Sequence, residues 1–561
     1  MQYKYYQDRP ESLTVEFVID EYTTLLNLVQ EANSSELPTN WLNLFEKWNA
    51  LDCYITGEIN RIHYALAKDM NNLELEIADK YFREQIIPVS SKFNFQLINY
   101  LLDTNHKEAI GIKYGKRILS VLENTIDSLN PINIELNVKI GELSTKHAKL
   151  LSSQRITIQG KEYSLAQASN FRQSPDASLR EELYTQQCIC YKNLKDECSQ
   201  IFDELVKLRT QMALNLGYES FLQLGYKNME RTDYGVKEVR EFRDNILKFI
   251  VPLKSQLQLN QIKELGTDKL NPYDVSFVPS LSLPNNVIPI DEQLEKTQNL
   301  FDKLSPRLSN IFKSMVDDKL IDLENRPGKR QGGFCTSIPD EGRVAIFLNS
   351  TGNSDDVRVI VHEMGHAFQS FESQKRIESI MLQWPSYDAA EICSMGMEFI
   401  SMPLMESYFS KENAIKYRKE HLRNAIFLFT TMAIGDEFQE WVYLNPNVSI
   451  NDREDKYKEI IKKYSPVVES SDFTKYFWYG NGHIFQMPFY YIDYAVAQIG
   501  ALQLGILNES NPDDTLKRYI NLCEIGGTKS VLEIFNSAGL RSPFEENILK
   551  DLVSYSSEKL N

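Results

Sequence analysis

Residues 357–368 read VRVIVHEMGHAF, an apolar run that carries two histidines and a glutamate. On an α-helix His362 and His366 lie about 40° apart around the axis and one turn apart along it, so both imidazoles can reach one point. Val357, Val359, Ile360 and Val361 precede the pair, and Ala367 and Phe368 follow it. Such flanks place the helix in a core. A surface helix with two structural histidines and a solvated glutamate would show a polar outer face instead. Buried imidazoles and carboxylates need partners, because an unpaired polar group in a core is costly. A metal ion is such a partner, and H-E-x-x-H is the spacing of zinc hydrolases that cut peptide bonds. The chain has only 7 histidines in 561 residues. A chance match to the spacing is therefore on the order of one in a hundred.

A hydrolytic zinc takes three protein ligands and leaves one position open for water. Glu363, beside the first histidine, is placed to hold that zinc-activated water and act as general base. The third ligand must come from elsewhere. Glu372 lies six residues beyond His366 and points away from the pair at about 100° per residue. Glu378 falls in the polar exit SQKRIESI. Pro385 then breaks the pattern, and a second helix, SYDAAEICSMGMEFISM, reads from Ser386. Glu391 and Glu398 are seven residues apart on it and share a face. The small and apolar neighbours Ala389, Ala390 and Ile392 favour Glu391 as the ligand. Glu398 stays open as the alternative, or as a partner that orients a ligand.

Two longer stretches, RPGKRQGGFCTSIPDEGRVAIFLNSTGNSDDVRVIVHEMGHAFQSF and WYGNGHIFQMPFYYIDYAVAQIGALQ, resemble the oligoendopeptidase F / thimet oligopeptidase family of zinc metallopeptidases. The likeness is strongest to Pz-peptidase-like bacterial oligoendopeptidases and covers at least residues 200–550. It implies one zinc per chain, held by His362, His366 and Glu391. It also implies that His483, Tyr491 and Tyr494 bind substrate and stabilise the oxyanion, with Tyr490 a possible substitute. From local sequence alone, a tyrosine-rich helix in a chain with 29 tyrosines is more often core packing. Gln369 stands where many relatives carry a further histidine; that position is not a family zinc ligand. The fold implied is mainly α, two-lobed and zincin-like. A small β-sheet lies beside the active-site helix, and a deep central channel admits short, flexible peptides.

The segment VAIFL at residues 344–348 reads as a short strand. It is expected either as an edge that pairs with an extended substrate or as a plain buried strand. Gly332 and Gly333 before Phe334 let backbone approach closely or simply turn the chain. The glycines around His483, Gly480 and Gly482, suggest a loop that moves when substrate binds.

Elsewhere the pattern is helical. TVEFVIDEYTTLLNLVQEAN, LEIADKYFREQ, SLREELYTQQCICYKNLKDECSQIFDELVKLRTQMAL and VKEVREFRDNILKFIVPL carry apolar residues at helical spacing. Ser174-Pro175-Asp176 reads as the start of the third, and RITIQGKEYSL as a hairpin turning at Gly160. Few linkers are visible, and the reading is an N-terminal helical region over residues 1–200 and a catalytic region over 201–561. MQYKYYQDRPES lacks the apolar core of a signal peptide. AIFLFTTMAIG is too short to cross a membrane. Seven scattered cysteines point to reduced thiols in a cytoplasm. Cys335 and Cys393 flank the site in sequence but read as packing residues, since zinc already claims the nearby histidines. The net charge of −17 argues against nucleic acid. His63, His106, His147 and His421 are isolated and read as ordinary surface or packed residues. Nothing in the sequence points to a particular oligomeric state. The expected activity is a zinc-dependent endopeptidase acting on internal bonds of short oligopeptides. The alternatives are a carboxypeptidase or dipeptidyl carboxypeptidase with the same centre, or a non-catalytic zinc-containing peptide-binding protein.

Overall fold

The computed structural model describes residues 12–34, 37–284, 287–330 and 332–560. The leading segment read above against a signal peptide lies outside them, apart from Ser12. Among the described residues helices dominate, joined by one two-stranded and one three-stranded sheet. The first predicted helix forms over Val15–Asn33, where Thr14 Oγ1 accepts the Phe17 N–H at 3.2 Å. Val18, Tyr22, Leu25 and Val29 make its buried stripe. The long periodic stretch after Asp176 is two helices, Ala177–Asn193 and Lys195–Asn215, broken at Leu194. Asp176 caps the first by accepting the Ser178 N–H at 2.9 Å. In VKEVREFRDNILKFIVPL, the helix Val236–Asn245 passes through a π-helical turn at Ile246–Ile250 into Val251–Leu265. Pro252 offers no N–H and crowds the carbonyl four residues back; one widened turn accommodates both. The predicted hairpin pairs Arg155–Ile158 with Lys161–Ser164. Its turn residues Gln159 and Gly160 both have positive φ, the geometry a two-residue hairpin turn requires.

Buried apolar side chains form two clusters. The smaller runs from Leu13 to Leu122 and takes in Leu382 from a later segment; the larger runs from Ile156 to Leu552. The hairpin and the Ala177–Asn193 helix pack with the larger cluster. The two clusters meet beside the histidine motif. Asn60, on the helix Pro38–Lys68, donates to the Ser337 carbonyl at 2.9 Å, and Asn49 on the same helix donates to the Glu378 carbonyl at 2.8 Å.

The three-stranded sheet lies there too. Its central strand is Arg343–Phe347, parallel to Ile321–Asp322 on one side and antiparallel to Phe334–Ile338 on the other. Val344, Ala345, Ile346 and Phe347 are buried. Of the two readings of residues 344–348, the buried strand is the one found: it is paired on both sides, and the edges are Phe334–Ile338 and the short Ile321–Asp322. Sequence could not separate these, because a five-residue apolar run fits a central strand as well as an edge. All seven cysteines are free thiols. No helix among the described residues is long and apolar enough to cross a membrane.

Candidate active site

The motif helix spans Ser354–Arg376. Asn353 caps it, its side-chain oxygen accepting the N–H groups of Asp355 at 2.8 Å and Asp356 at 3.0 Å. The second helix spans Tyr387–Ser401 and packs across it. Contact is made at Gly365, where an added Cβ would lie 2.5 Å from Ser394 Cα and 2.7 Å from the Cys393 carbonyl oxygen. Any side chain in the middle of the motif would push the two backbones apart. Close approach delivers Glu391. Its Oε2 lies 3.3 Å from His362 Nε2 and 3.5 Å from His366 Nε2, and one ligand atom from each of the three residues falls within 4.8 Å of the others. Burial pushes the Glu391 carboxyl up, but the two histidines outweigh it and hold it well below the ordinary range.

The donor set fits a divalent cation. Two imidazole nitrogens and one carboxylate oxygen, buried and converging, match a three-ligand zinc site. Glu398, the other carboxylate on the same face, accepts from His362 Nδ1 at 2.7 Å. With Nδ1 engaged there, Nε2 is the ring nitrogen left on the side of Glu391, 3.3 Å from its Oε2. Arg358, one turn before His362, lies 3.9 Å from Glu398, and His421 lies 3.6 Å from its other oxygen. Neither was singled out as part of the site from sequence. Arg358 carried a signal, the i−4 position on the motif helix; His421 comes from a distant helix, Lys411–Leu444, and carried none. Ser394 donates to Glu391 Oε2 at 2.8 Å. Glu372, set aside on phase, pairs instead with Arg307 at 2.8 Å.

Glu363 is 7% exposed, and its Oε2 has no hydrogen-bond partner. Burial raises its carboxyl above the ordinary value against the pull of both histidines. A buried, unbonded and more basic carboxylate oxygen beside the ligand set is what a general base requires. Gly333 sits against it: an added Cβ would be 3.7 Å from Glu363 Oε1 and 2.4 Å from Leu348 Cδ2. The glycine therefore brings the start of the edge strand next to the base. Burial and the Glu363 charge push the Cys335 thiol well up, which removes it as a nucleophile.

His483 and the tyrosines arrive from residues 478–494. The ring of His483 is 5.2 Å from that of Tyr490, 5.5 Å from Tyr491 and 6.1 Å from Tyr494. Tyr490 donates to Glu391 Oε1. Tyr494 lies four residues on, on the same face, with its ring 4.8 Å from that of Tyr490. Burial and the Glu391 charge raise both phenols well above their ordinary value, so both stay protonated donors. Burial lowers His483 against the pull of Glu391 and favours its neutral form. Tyr491 is rotated about 100° from Tyr490. Its ring leans on Gly435, where an added Cβ would lie 2.5 Å away, and it lines a neighbouring cavity. Of the tyrosines proposed from sequence, Tyr494 faces the ligand set and Tyr491 faces that cavity; Tyr490, held as a substitute, bonds directly to the ligand. Gly480 packs its backbone on the Tyr191 ring at 2.7 Å from an added Cβ, whereas Gly482 has open space to 3.6 Å.

Residues 170–554 match the family described as Peptidase family M3. The chain is 24% identical over 383 residues to an oligoendopeptidase F homolog of Borreliella burgdorferi, the match covering 66% of this chain and 63% of that one. It is 22% identical over 390 residues to the oligopeptidase PepF of Bacillus subtilis, covering 66% and 55%. These matches thus span less than two thirds of either curated relative. A solved structure of Pz peptidase A with an inhibitor superimposes with a TM-score of 0.94 at 30% identity, covering 99% of this chain and 98% of that one. With two thirds of its length matched by the family pattern, the chain belongs to peptidase family M3.

Proposed function

We propose that this chain is a zinc-dependent endopeptidase that hydrolyses internal bonds of short oligopeptides. The observation that carries the reading is the convergence of His362, His366 and Glu391 beside the unbonded Glu363 Oε2. The names of the relatives, an oligoendopeptidase F homolog and an oligopeptidase, support the substrate class. His362, His366 and Glu391 hold the metal, and Glu398 orients His362. Bound there, zinc would supply Lewis acidity, polarising the scissile carbonyl and acidifying a water. Glu363 takes the proton of the attacking water and passes it to the leaving nitrogen. Tyr494 and His483 donate to the oxyanion, whereas Tyr490 is engaged with Glu391. Peptide backbone pairs along the edge strand Phe334–Ile338, which Gly333 sets beside the base. Seven unpaired thiols suit the reducing cytoplasm as the site of action.

Hydrolysis of end-blocked peptides is the test. Internal cleavage, lost on chelation and restored by zinc, is the expected result. Cleavage only of peptides with free ends would replace the endopeptidase with an exopeptidase, and zinc binding without turnover of any peptide would leave a binding protein.

A further inference from the structure

A cavity of about 520 Å³ opens behind Tyr491. Tyr491 forms part of its wall, and its ring lies 5.5 Å from that of His483. Tyr491 therefore joins the cavity wall to the group around His483. An extended peptide advances about 3.3 Å per residue, so a substrate held at the ligand set reaches this space within a few residues. Apolar side chains, among them Leu183, Phe427, Met432 and Phe477, make much of its wall.

Two polar side chains on the wall are out of keeping with that lining. Both come from the helix Val251–Leu265, four residues apart and so on one face. Lys254 is 6% exposed. Its ammonium donates to Thr430 Oγ1 at 2.8 Å, Ser465 Oγ at 2.7 Å and the Tyr464 carbonyl at 3.3 Å. No carboxylate pairs with it among the described residues, and nearby Arg423 adds positive potential. Burial lowers this amine to about 7, a sign of how poorly the charge is compensated. Gln258 is fully buried, and neither its amide oxygen nor its nitrogen has a partner. Leaving both ends of a buried amide unsatisfied is costly unless something else fills the space. Of the other cations on the wall, Arg180 pairs with Asp274 at 2.7 Å and Lys458 with Asp472 at 2.6 Å, while Arg172 and Lys462 add to the positive lining. In a chain with 78 acidic and 61 basic residues, an uncompensated buried cation beside an orphaned amide is a receptor for negative charge.

We infer that the cavity behind Tyr491 is a substrate subsite that takes a carboxylate-bearing part of the peptide, with Lys254 and Gln258 as its recognition groups. The carboxylate belongs to a free C-terminus or to an acidic side chain. The Lys254 ammonium, its three donors held by Thr430, Ser465 and the Tyr464 carbonyl, attracts either through its charge, and the Gln258 amide N–H supplies the hydrogen bond. The apolar wall takes the remainder of the residue. The inference rests on the peptidase reading and adds a specificity to it.

The test uses the zinc-loaded enzyme and three peptides of one sequence. The first has a free C-terminus and neutral side chains. The second is the same peptide with an amidated end. The third is amidated and carries glutamate in place of one glutamine. The ratio of kcat/KM for each carboxylate peptide to the neutral one is read in the wild type, Lys254→Met, Lys254→Arg and Gln258→Leu. A ratio of about ten for one carboxylate source is expected in the wild type. It should fall to about one in Lys254→Met, drop in Gln258→Leu and survive in Lys254→Arg. The peptide that shows it identifies the source. A wild-type ratio near one for both sources, or an unchanged ratio in Lys254→Met, overturns the inference. If Lys254→Met does not fold, Gln258→Leu and Lys254→Arg carry the same decision. Calorimetric titration of the same peptides into Glu363→Gln enzyme reads binding without turnover. Preference there with no cleavage by the wild type would sink the peptidase reading and leave the subsite standing.

Discussion

The crossed helices Ser354–Arg376 and Tyr387–Ser401 and the segment over residues 478–494 build one site by opposite means. The helix pair positions its groups by regular geometry. His362 and His366 are fixed by helical period, Glu391 and Glu398 by the same period on the second helix, and Gly365 sets the separation. In the other segment the chain leaves regular structure, passing through a 3₁₀ stretch, a single helical turn and then Phe489 at φ +72°. A bulky residue in the left-handed region is strained and persists only where its surroundings over-determine it. Here they do. Gln439 accepts the Phe489 N–H at 3.1 Å, Arg231 donates to its carbonyl at 2.6 Å, and its ring seats on Gly225. Arg231 is itself held by buried Asp493. Upstream, His147 stacks on Phe485 at 3.7 Å and bonds to the Tyr479 carbonyl at 2.9 Å. Ligands that share a helix can be placed by periodicity, whereas donors on an irregular segment must be clamped from outside.

That contrast can be broken by experiment. The helix pair should control metal and base, the clamped segment transition-state donors, and variants of each should read out separately. Glu363→Gln has the largest expected effect: a loss of about 10²–10⁴-fold in kcat with metal content unchanged by elemental analysis. Residual activity near wild type would remove the assigned base. Tyr494→Phe should cost about 10²–10³-fold in kcat, again at full metal, while Tyr491→Phe changes KM more than kcat. Equal losses in kcat from both would erase the distinction between the two faces.

Acid should act on the clamp. Burial lowers His147 from 6.5 to about 4. The unfolded chain therefore takes up a proton between pH 6.5 and 4 that the folded one refuses. The stabilisation is complete above 6.5 and lost as pH falls to 4, a swing of about 3 kcal/mol. Thermal melts across that range should show it, and His147→Gln should flatten it. Last comes Glu398→Ala, expected to weaken zinc affinity by about 10–100-fold. Glu391→Ala should release the metal more completely; the reverse order would exchange the roles of the two glutamates.

Much of the helix pair was legible in advance because burial and period coincide there. The cap at Asp176, the hairpin at Gly160 and the break at Pro385 were readable for a similar reason, since each rests on one residue's backbone preference. The sheet order was not. Residues 344–348 carry the apolar signature of a strand, but whether it lies inside or at an edge depends on partners at residues 321–322 and 334–338. Neither was the choice among Tyr490, Tyr491 and Tyr494, which turns on the phase with which a helix starts after an irregular residue.

Sequence alone put His362 and His366 on one helix face with Glu363 beside them and narrowed the third candidate to Glu391 or Glu398, because the 3.6-residue period belongs to any α-helix and needs no tertiary information. Tertiary structure decided which tyrosines face the ligands, which strand is the edge, and that Lys254 and Gln258 share a cavity with Tyr491. Those relations join residues far apart in the chain, and no local backbone preference encodes them.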